Sequence, residues 1–139
     1  MVNYLDYAAT TPVHSQVLEV ITKEMAFFGN PSSVYRIGRE QKQKIERVRK
    51  AILKELQASP HDDVIFTSSG SEGNNLVFES IRKHFEKEKG HIIVSAVEHP
   101  SVRKSAEFLE QEGFDVTYLA PNREGSIEVS AVEKALRED

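Results

Sequence analysis

The sequence predicts an α/β fold with a parallel sheet, arranged as a three-layer sandwich of helices around strands. Segments typical of strands and of helices alternate from Val64 onward, an order that produces parallel strands joined by crossover helices. Two turns, at 68–72 and 96–100, each follow a predicted strand, and ligands of open parallel sheets bind at such strand ends. The length of 139 residues and the hydrophobic content of 39% fit a globular chain of about one domain.

The sheet is preceded by a helical segment. Residues 1–14 are predicted to be extended, because Pro12 disfavours a helical conformation at the residue before it. An amphipathic helix is predicted over 15–28, and a longer one begins at 35 or 39 and ends at 57. Gly29, with a proline two positions beyond it, is typical of the end of a helix. We therefore expect two domain parts: residues 1–14, and an incomplete large domain over 15–139.

The turn after the first predicted strand, at 63–67, is the first candidate site. Ser69 and Glu72 form a capping-box pattern, which predicts a helix beginning near Gly70 and ending near Gly90. The first turn of a helix offers unpaired N–H groups and the positive end of the helix dipole, so it can bind a phosphate. Many turns in α/β proteins share this composition and bind nothing, so both interpretations remain open.

The remaining elements follow from composition and turn residues. They are a strand at 91–95, a helix at 100–112, a strand at 115–119, a turn at 122–125, and a last helix that starts at the capping-box pair Ser130 and Glu133 and runs to 139.

The composition argues against several classes of function. A net charge of −4 without a basic cluster does not favour nucleic-acid binding. No apolar run approaches the ~20 residues of a membrane span, and we expect a cytoplasmic protein. The chain has no cysteine and no histidine pair with zinc-motif spacing, so a metal site is not expected. The ten lysines all fall on predicted helices or their ends, as solvated charges do.

His99 is the second candidate site residue. It follows the strand at 91–95 and therefore lies at the same edge of the predicted sheet as the phosphate turn. A histidine there can bind a ligand or transfer protons. The alternative is a helix-capping histidine without chemistry.

Five blocks in order resemble the amino-terminal part of the cysteine desulfurases, which are class V aminotransferase-type enzymes with pyridoxal 5'-phosphate as cofactor and the fold called type I. The blocks are 4–12, 28–33, 66–75, 98–102 and 114–121. Their shared order makes another phosphate-binding α/β enzyme a poor alternative.

The resemblance implies roles for particular residues. Gly70 and Ser71 would bind the cofactor phosphate, and His99 would stack on the pyridine ring and relay protons as a catalytic residue. Ala9, Thr10 and Asn30 would line the substrate entrance near a dimer interface. Several positions differ from the family's usual residues. Among them, Ser71 replaces a threonine and retains a hydroxyl, and Tyr35 replaces a histidine.

The family's Schiff-base lysine, its pyridine-pairing aspartate and its persulfide cysteine lie further along than this sequence extends. We therefore expect the amino-terminal portion of a cysteine desulfurase-like enzyme, from a truncated or split gene or a cut chain, and inactive by itself. The alternative is a non-catalytic module that forms a homo-oligomer, or pairs with a carboxyl-terminal half, through apolar helix faces. One such face carries Val17, Ile21, Met25 and Phe28. The substrate would be an amino acid, either cysteine or selenocysteine.

Overall fold

The computed structural model describes residues 3–137, which divide into two compact units. The amino-terminal unit comprises residues 3–64 and the carboxyl-terminal unit residues 65–137. The predicted division after residue 14 stays a prediction, and residues 1–2 of that segment lie outside the described part of the chain. No helix within 3–137 combines the length and the apolar character that crossing a membrane requires.

The amino-terminal unit contains two helices, α1 (Ser15–Glu24) and α2 (Arg36–Glu55). Both were predicted, but α1 ends four residues before the predicted position. The amide of Phe27 bonds to the carbonyl oxygen of Glu24 at 3.0 Å, so the chain tightens into a three-residue turn there. Lys44 links the end of α1 to α2: its Nζ lies 2.6 Å from Glu24 Oε2 and 3.9 Å from the centre of the Phe27 ring.

The loop between α1 and α2 packs closely on the start of α2. A Cβ placed on Gly38 would lie 2.5 Å from the carbonyl oxygen of Asn30 and 2.7 Å from that of Ser33. Gly29, at φ +148°, carries the chain into this loop through a conformation that residues with side chains rarely adopt. Gly38 is the one buried residue among the described residues of this unit.

The carboxyl-terminal unit alternates helices with two parallel strands. In order these are α3 (Gly70–His84), β1 (His91–Ser95), α4 (Pro100–Gln111), β2 (Asp115–Leu119) and α5 (Val129–Ala135). The strands pair in parallel, with His91 opposite Asp115 and Ser95 opposite Leu119. Helix α4 packs on both strands and on α3, and α5 packs on β2. The predicted parallel α/β fold class is confirmed.

A small apolar core forms where α4 covers the strand pair. Its buried side chains are Val94, Ala106, Leu109 and Phe114, exposed by 6% or less. Both strand ranges and the start of α4 are as predicted, because an unbroken apolar centre and a proline at the first helical position are strong signals.

Three predictions in this unit are wrong. Residues 63–67 are not a strand, because within the described residues the sheet contains β1 and β2 alone and supplies no further partner. Helix α3 ends at His84 instead of near Gly90, since residues 86–90 carry no apolar side chain that could continue the packed face. Helix α5 begins at Val129 without a capping side chain and ends at Ala135. Residues 138–139 of its predicted range lie outside the described residues.

Candidate functional site

The turn before α3 is held by reciprocal hydrogen bonds. Ser69 is the N-cap, and its Oγ accepts the amide of Glu72 at 3.2 Å, as the capping-box pattern predicted. In a standard capping box, the Glu72 carboxylate would accept the amide of the N-cap, Ser69. Here Glu72 Oε2 instead accepts the amide of the preceding residue, Ser68, at 2.5 Å and its hydroxyl at 2.6 Å. These hydrogen bonds from Ser68 stabilise the carboxylate and lower the pKa of Glu72. These contacts fix the turn without using the amides of Gly70 and Ser71.

Those amides fit a phosphate group. Gly70 and Ser71 are the first two residues of α3, where N–H groups have no intrahelical acceptor. A Cβ built on Gly70 meets no atom within 4 Å, so there is space beside the turn. Ser71 is exposed and adds a hydroxyl donor. The donors present are those that a phosphate monoester requires.

His99 is the N-cap of α4. Its Nδ1 accepts the amide of Ser101 at 3.2 Å and lies 2.8 Å from the Ser101 hydroxyl. The helix-capping alternative is therefore present in the structure. It does not exclude a ligand role, because capping uses Nδ1 only and the residue is exposed.

Two asparagines connect α3 to α4. Asn74 Nδ2 donates to Ser101 Oγ at 2.8 Å, and the Ser105 hydroxyl donates to Asn75 Oδ1 at the same distance. These contacts link α3 to α4, the helix that His99 caps. Asn74 and Asn75 lie in the block 66–75 that carries the family resemblance, but no role was predicted for them. The available signal was that two adjacent side-chain amides on a predicted helix can form hydrogen bonds to a neighbouring element.

A cleft of about 540 Å3 lies between α3 and α4 in the carboxyl-terminal unit. We call it the α3–α4 cleft. Ser71 and His99 both line it, so the structure brings these two predicted site residues together. The other lining residues are Asn75, Phe78, Glu79, Pro100, Ser101, Lys104, Ser105, Phe108 and Leu109. Lys104 was among the lysines to which the sequence analysis gave no role.

The three residues predicted at a substrate entrance lie in the amino-terminal unit. Ala9 donates its amide to the carbonyl oxygen of Asp6 at 3.1 Å, and Thr10 follows it in the same turn. Asn30 closes its own turn, with Oδ1 accepting the amide of Ser32 at 2.9 Å. All three residues are exposed, and their role stays a prediction. No group of three or more potential metal-ligating side chains occurs within residues 3–137.

Comparisons with known proteins identify the family of this chain. The family model described as Aminotransferase class-V matches residues 3–139. Cysteine desulfurase IscS of Dictyoglomus turgidum is 44% identical over 98% of this chain, and that of Pectobacterium carotovorum is 39% identical over 98%. The matched region is 34% of each relative, so this chain spans about a third of their length.

Solved structures give the same result for the fold. A NifS-like protein superposes with a TM-score of 0.89 at 34% identity, covering 100% of this chain and 38% of its own. A structure described as SspA in complex with cysteine has a TM-score of 0.88 at 39% identity, covering 99% and 40%. The predicted resemblance is confirmed: the chain belongs to the class-V aminotransferase family and is similar to its cysteine desulfurases.

Proposed function

We propose that this chain supplies the phosphate-binding turn and the ring-facing histidine of a pyridoxal phosphate-dependent cysteine desulfurase. The proposal rests on the observation that Ser71, in the first turn of α3, and His99, the N-cap of α4, line one cleft. Either residue alone has a structural explanation, in a helix start or a helix cap. Their convergence is what a phosphate-bearing aromatic cofactor needs, since its phosphate and its ring must be held by separate groups.

The chain's own residues would share the binding. The amides of Gly70 and Ser71 and the Ser71 hydroxyl would donate to the phosphate, aided by the positive end of the α3 dipole. The Lys104 ammonium would add positive charge beside the cleft. His99 would present its ring and its Nε2 to the cofactor ring. Pyridoxal phosphate, when bound, supplies an electron sink for bonds at the α-carbon of an amino acid.

Cysteine is the substrate we propose for the complete enzyme. Two observations support it: the curated relatives bear the name cysteine desulfurase, and one similar structure is described as a complex with cysteine. The present chain has no cysteine that could accept sulfur. We therefore expect this chain alone to release no sulfide from cysteine. Sulfide released in proportion to the chain, with no contaminating full-length enzyme, would contradict this.

Titration of the chain with pyridoxal phosphate tests the binding proposal. Phosphate hydrogen bonds of about 1.5–3 kcal/mol each and a stacking term of about 0.5–1.5 kcal/mol oppose an immobilisation cost of several kcal/mol. The balance gives dissociation constants from high micromolar to millimolar. NMR should show shifts at the amides of residues 69–73, and Ser71→Ala or His99→Ala should weaken binding.

The matched control is His84→Ala, at the opposite end of α3, which should leave the affinity unchanged. Shifts scattered over the surface, or none at residues 69–73, would contradict the proposal. An equal loss in all three variants would do the same, because it would show an effect of fold instead of site.

A second candidate function is assembly without chemistry. It is favoured by the exposed apolar face of α1 and of the residues after it. Val17 is 50% exposed, Ile21 45%, Met25 81% and Phe28 78%. Exposed apolar surface on this scale drives association. Sedimentation of the chain at moderate concentration should show an oligomer, and a clean monomer would contradict this candidate.

A further inference from the structure

We propose that Asn74 and Ser101 are positioning residues that fix the tautomer of His99, leaving Nε2–H as the group that His99 offers to the α3–α4 cleft. This rests on the proposed function for its consequence, although the tautomer itself can be measured without any cofactor. The proposal is based on a continuous path of hydrogen bonds from Asn74 through Ser101 to His99 Nδ1.

The backbone amide of Ser101 favours one tautomer of the His99 ring. An amide N–H can only donate, and that of Ser101 is directed at His99 Nδ1 over 3.2 Å. A nitrogen that accepts this bond needs its lone pair, so in the neutral ring the proton resides on Nε2. The cap of α4 therefore favours one of the two tautomers.

The side chain of Asn74 sets the direction in which the Ser101 hydroxyl donates. Asn74 Nδ2 is an amide nitrogen and therefore a donor, and it lies 2.8 Å from Ser101 Oγ. The Ser101 hydroxyl accepts this bond and can direct its own hydrogen at His99 Nδ1, also 2.8 Å away. Both contacts thus favour an Nδ1 that accepts. The amide of Asn74 determines the polarity of the whole path.

The two positioning residues are less accessible to solvent than the ring of His99. Asn74 and Ser101 are half-buried, whereas His99 is exposed. Water competes less for the two positioning residues than for the ring they hold, so the bias is maintained where the ring itself is accessible. Ser105 provides a comparison on the same helix: its hydroxyl also contacts an asparagine of α3, but not His99.

The consequence is a defined role for His99. With Nε2 protonated, the neutral ring acts toward an occupant of the cleft as a hydrogen-bond donor. The opposite tautomer would act as an acceptor at the same atom. Which of the two is present decides whether His99 can first give or first take a proton.

The experiment is long-range 1H–15N NMR of the full chain, labelled at the histidine nitrogens. It is done without cofactor, at a pH at which the histidine rings are neutral. His99→Ala identifies the His99 signals. The wild-type ring should be mainly the Nε2–H form. Ser101→Ala should lower the ratio of Nε2–H to Nδ1–H about fivefold, the equivalent of one neutral hydrogen bond. Ser101→Thr should restore the ratio, because threonine keeps the hydroxyl.

Asn74→Asp gives a sharper test. Its carboxylate would accept the Ser101 hydroxyl and reverse the path, so that Nδ1–H gains population beyond the level in Ser101→Ala. Ser105→Ala is the matched control and should leave the ratio unchanged. His14 is an internal reference, since it caps α1 through Nδ1 at 3.4 Å from the amide of Gln16. Its signals should not respond to any of these variants.

The proposal is overturned if the wild-type ring is mainly Nδ1–H, or if Ser101→Ala and Ser105→Ala change the ratio equally. Circular dichroism identifies any variant that fails to fold. If Asn74→Asp fails to fold, the comparison of Ser101→Ala with Ser101→Thr still decides the test. Pyridoxal phosphate titration separates the two proposals. If the tautomer bias is present but pyridoxal phosphate does not bind, only the proposed function is contradicted. If the cofactor binds but the bias is absent, only the positioning role is contradicted.

Discussion

The two units bury their apolar side chains to very different degrees. In the amino-terminal unit, α2 is the longest helix described, at 20 residues, and Gly38 is its one buried residue. In the carboxyl-terminal unit, the shorter α4, at 12 residues, buries both Ala106 and Leu109. Helix length and amphipathicity therefore do not determine burial. The difference is the strand pair, which gives α4 an apolar surface on which to pack.

The contrast separates two kinds of stabilisation. The carboxyl-terminal unit is held by side chains removed from water, which is the dominant favourable term in folding. The amino-terminal unit is held by local contacts, such as the link from Lys44 to Glu24 and the backbone approach at Gly38. Substitutions should therefore have large effects at different kinds of position in the two units.

The largest effect is expected at Leu109. Its side chain is 1% exposed, so Leu109→Ala removes buried methyl groups and leaves a cavity. We expect the free energy of unfolding of the carboxyl-terminal unit to fall by about 2–5 kcal/mol, measured by urea denaturation with residue-specific NMR intensities. The matched control is Val48→Ala on α2, which is 51% exposed and should change stability by less than about 0.5 kcal/mol. Similar losses for both would contradict the comparison.

An intermediate effect is expected at Gly38. Gly38→Ala places a methyl group 2.5 Å from the carbonyl oxygen of Asn30, so the loop must move away from α2. We expect a loss of about 1–3 kcal/mol, confined to the amino-terminal unit and visible as shifts of the amides of residues 30–38. Gly90→Ala is the control, because a Cβ there meets no atom within 4 Å. Unchanged shifts at 30–38 would show that the close approach does not exist in solution.

The smallest effect is expected from acid. Glu79 accepts two hydrogen bonds from Arg82, at 2.7 and 2.8 Å, and this contact lowers the pKa of Glu79 from 4.5 to about 2. A lowered carboxyl pKa contributes stability that is present above the unfolded value and is lost as the pH falls through the folded one. The stability contributed by Glu79 should therefore be lost as the pH falls from about 4.5 to about 2. It should be small, since the Glu79 side chain is 42% exposed to solvent.

The carboxyl carbon of Glu79 can be titrated directly by NMR, and its midpoint should lie well below that of an ordinary glutamate. Glu79→Gln should flatten the acid-induced loss of stability. Arg82→Gln should do the same, because it removes the same hydrogen bonds. A midpoint near the ordinary value, or an unchanged loss in both variants, would contradict the assignment.

Much of the fold was predictable because its signals are local. The strands at 91–95 and 115–119 and the start of α4 at Pro100 depend on composition within a few residues. The segment at 63–67 has the same β-branched and aromatic composition and is not a strand, because a strand also needs a partner in space. Composition indicates the preference of a segment, while pairing depends on residues far away in sequence.

The candidate site was predictable to a similar extent. Ser71 and His99 were identifiable from a helix start and a strand end, and they do line one cleft. The roles of Asn74 and Ser101 were not, since a hydrogen bond between residues 27 positions apart depends on the packing of α3 against α4. Glu72 shows an intermediate case: the capping box was recognised, but its return contact went to Ser68.

The parallel pairing of β1 and β2 also determines how their amides exchange with deuterium. Asp115 donates its amide to Gly90, and Ala96 donates to Leu119, so alternate amides along each strand point at the other strand. Ile92, Val94 and Ala96 should exchange slowly, while Ile93 and Ser95 between them should exchange fast. This alternation of slow and fast amide exchange holds as long as each strand has a neighbouring strand on one side only. Slow exchange appearing at Ile93 and Ser95 would therefore report, residue by residue, that another strand has joined the sheet.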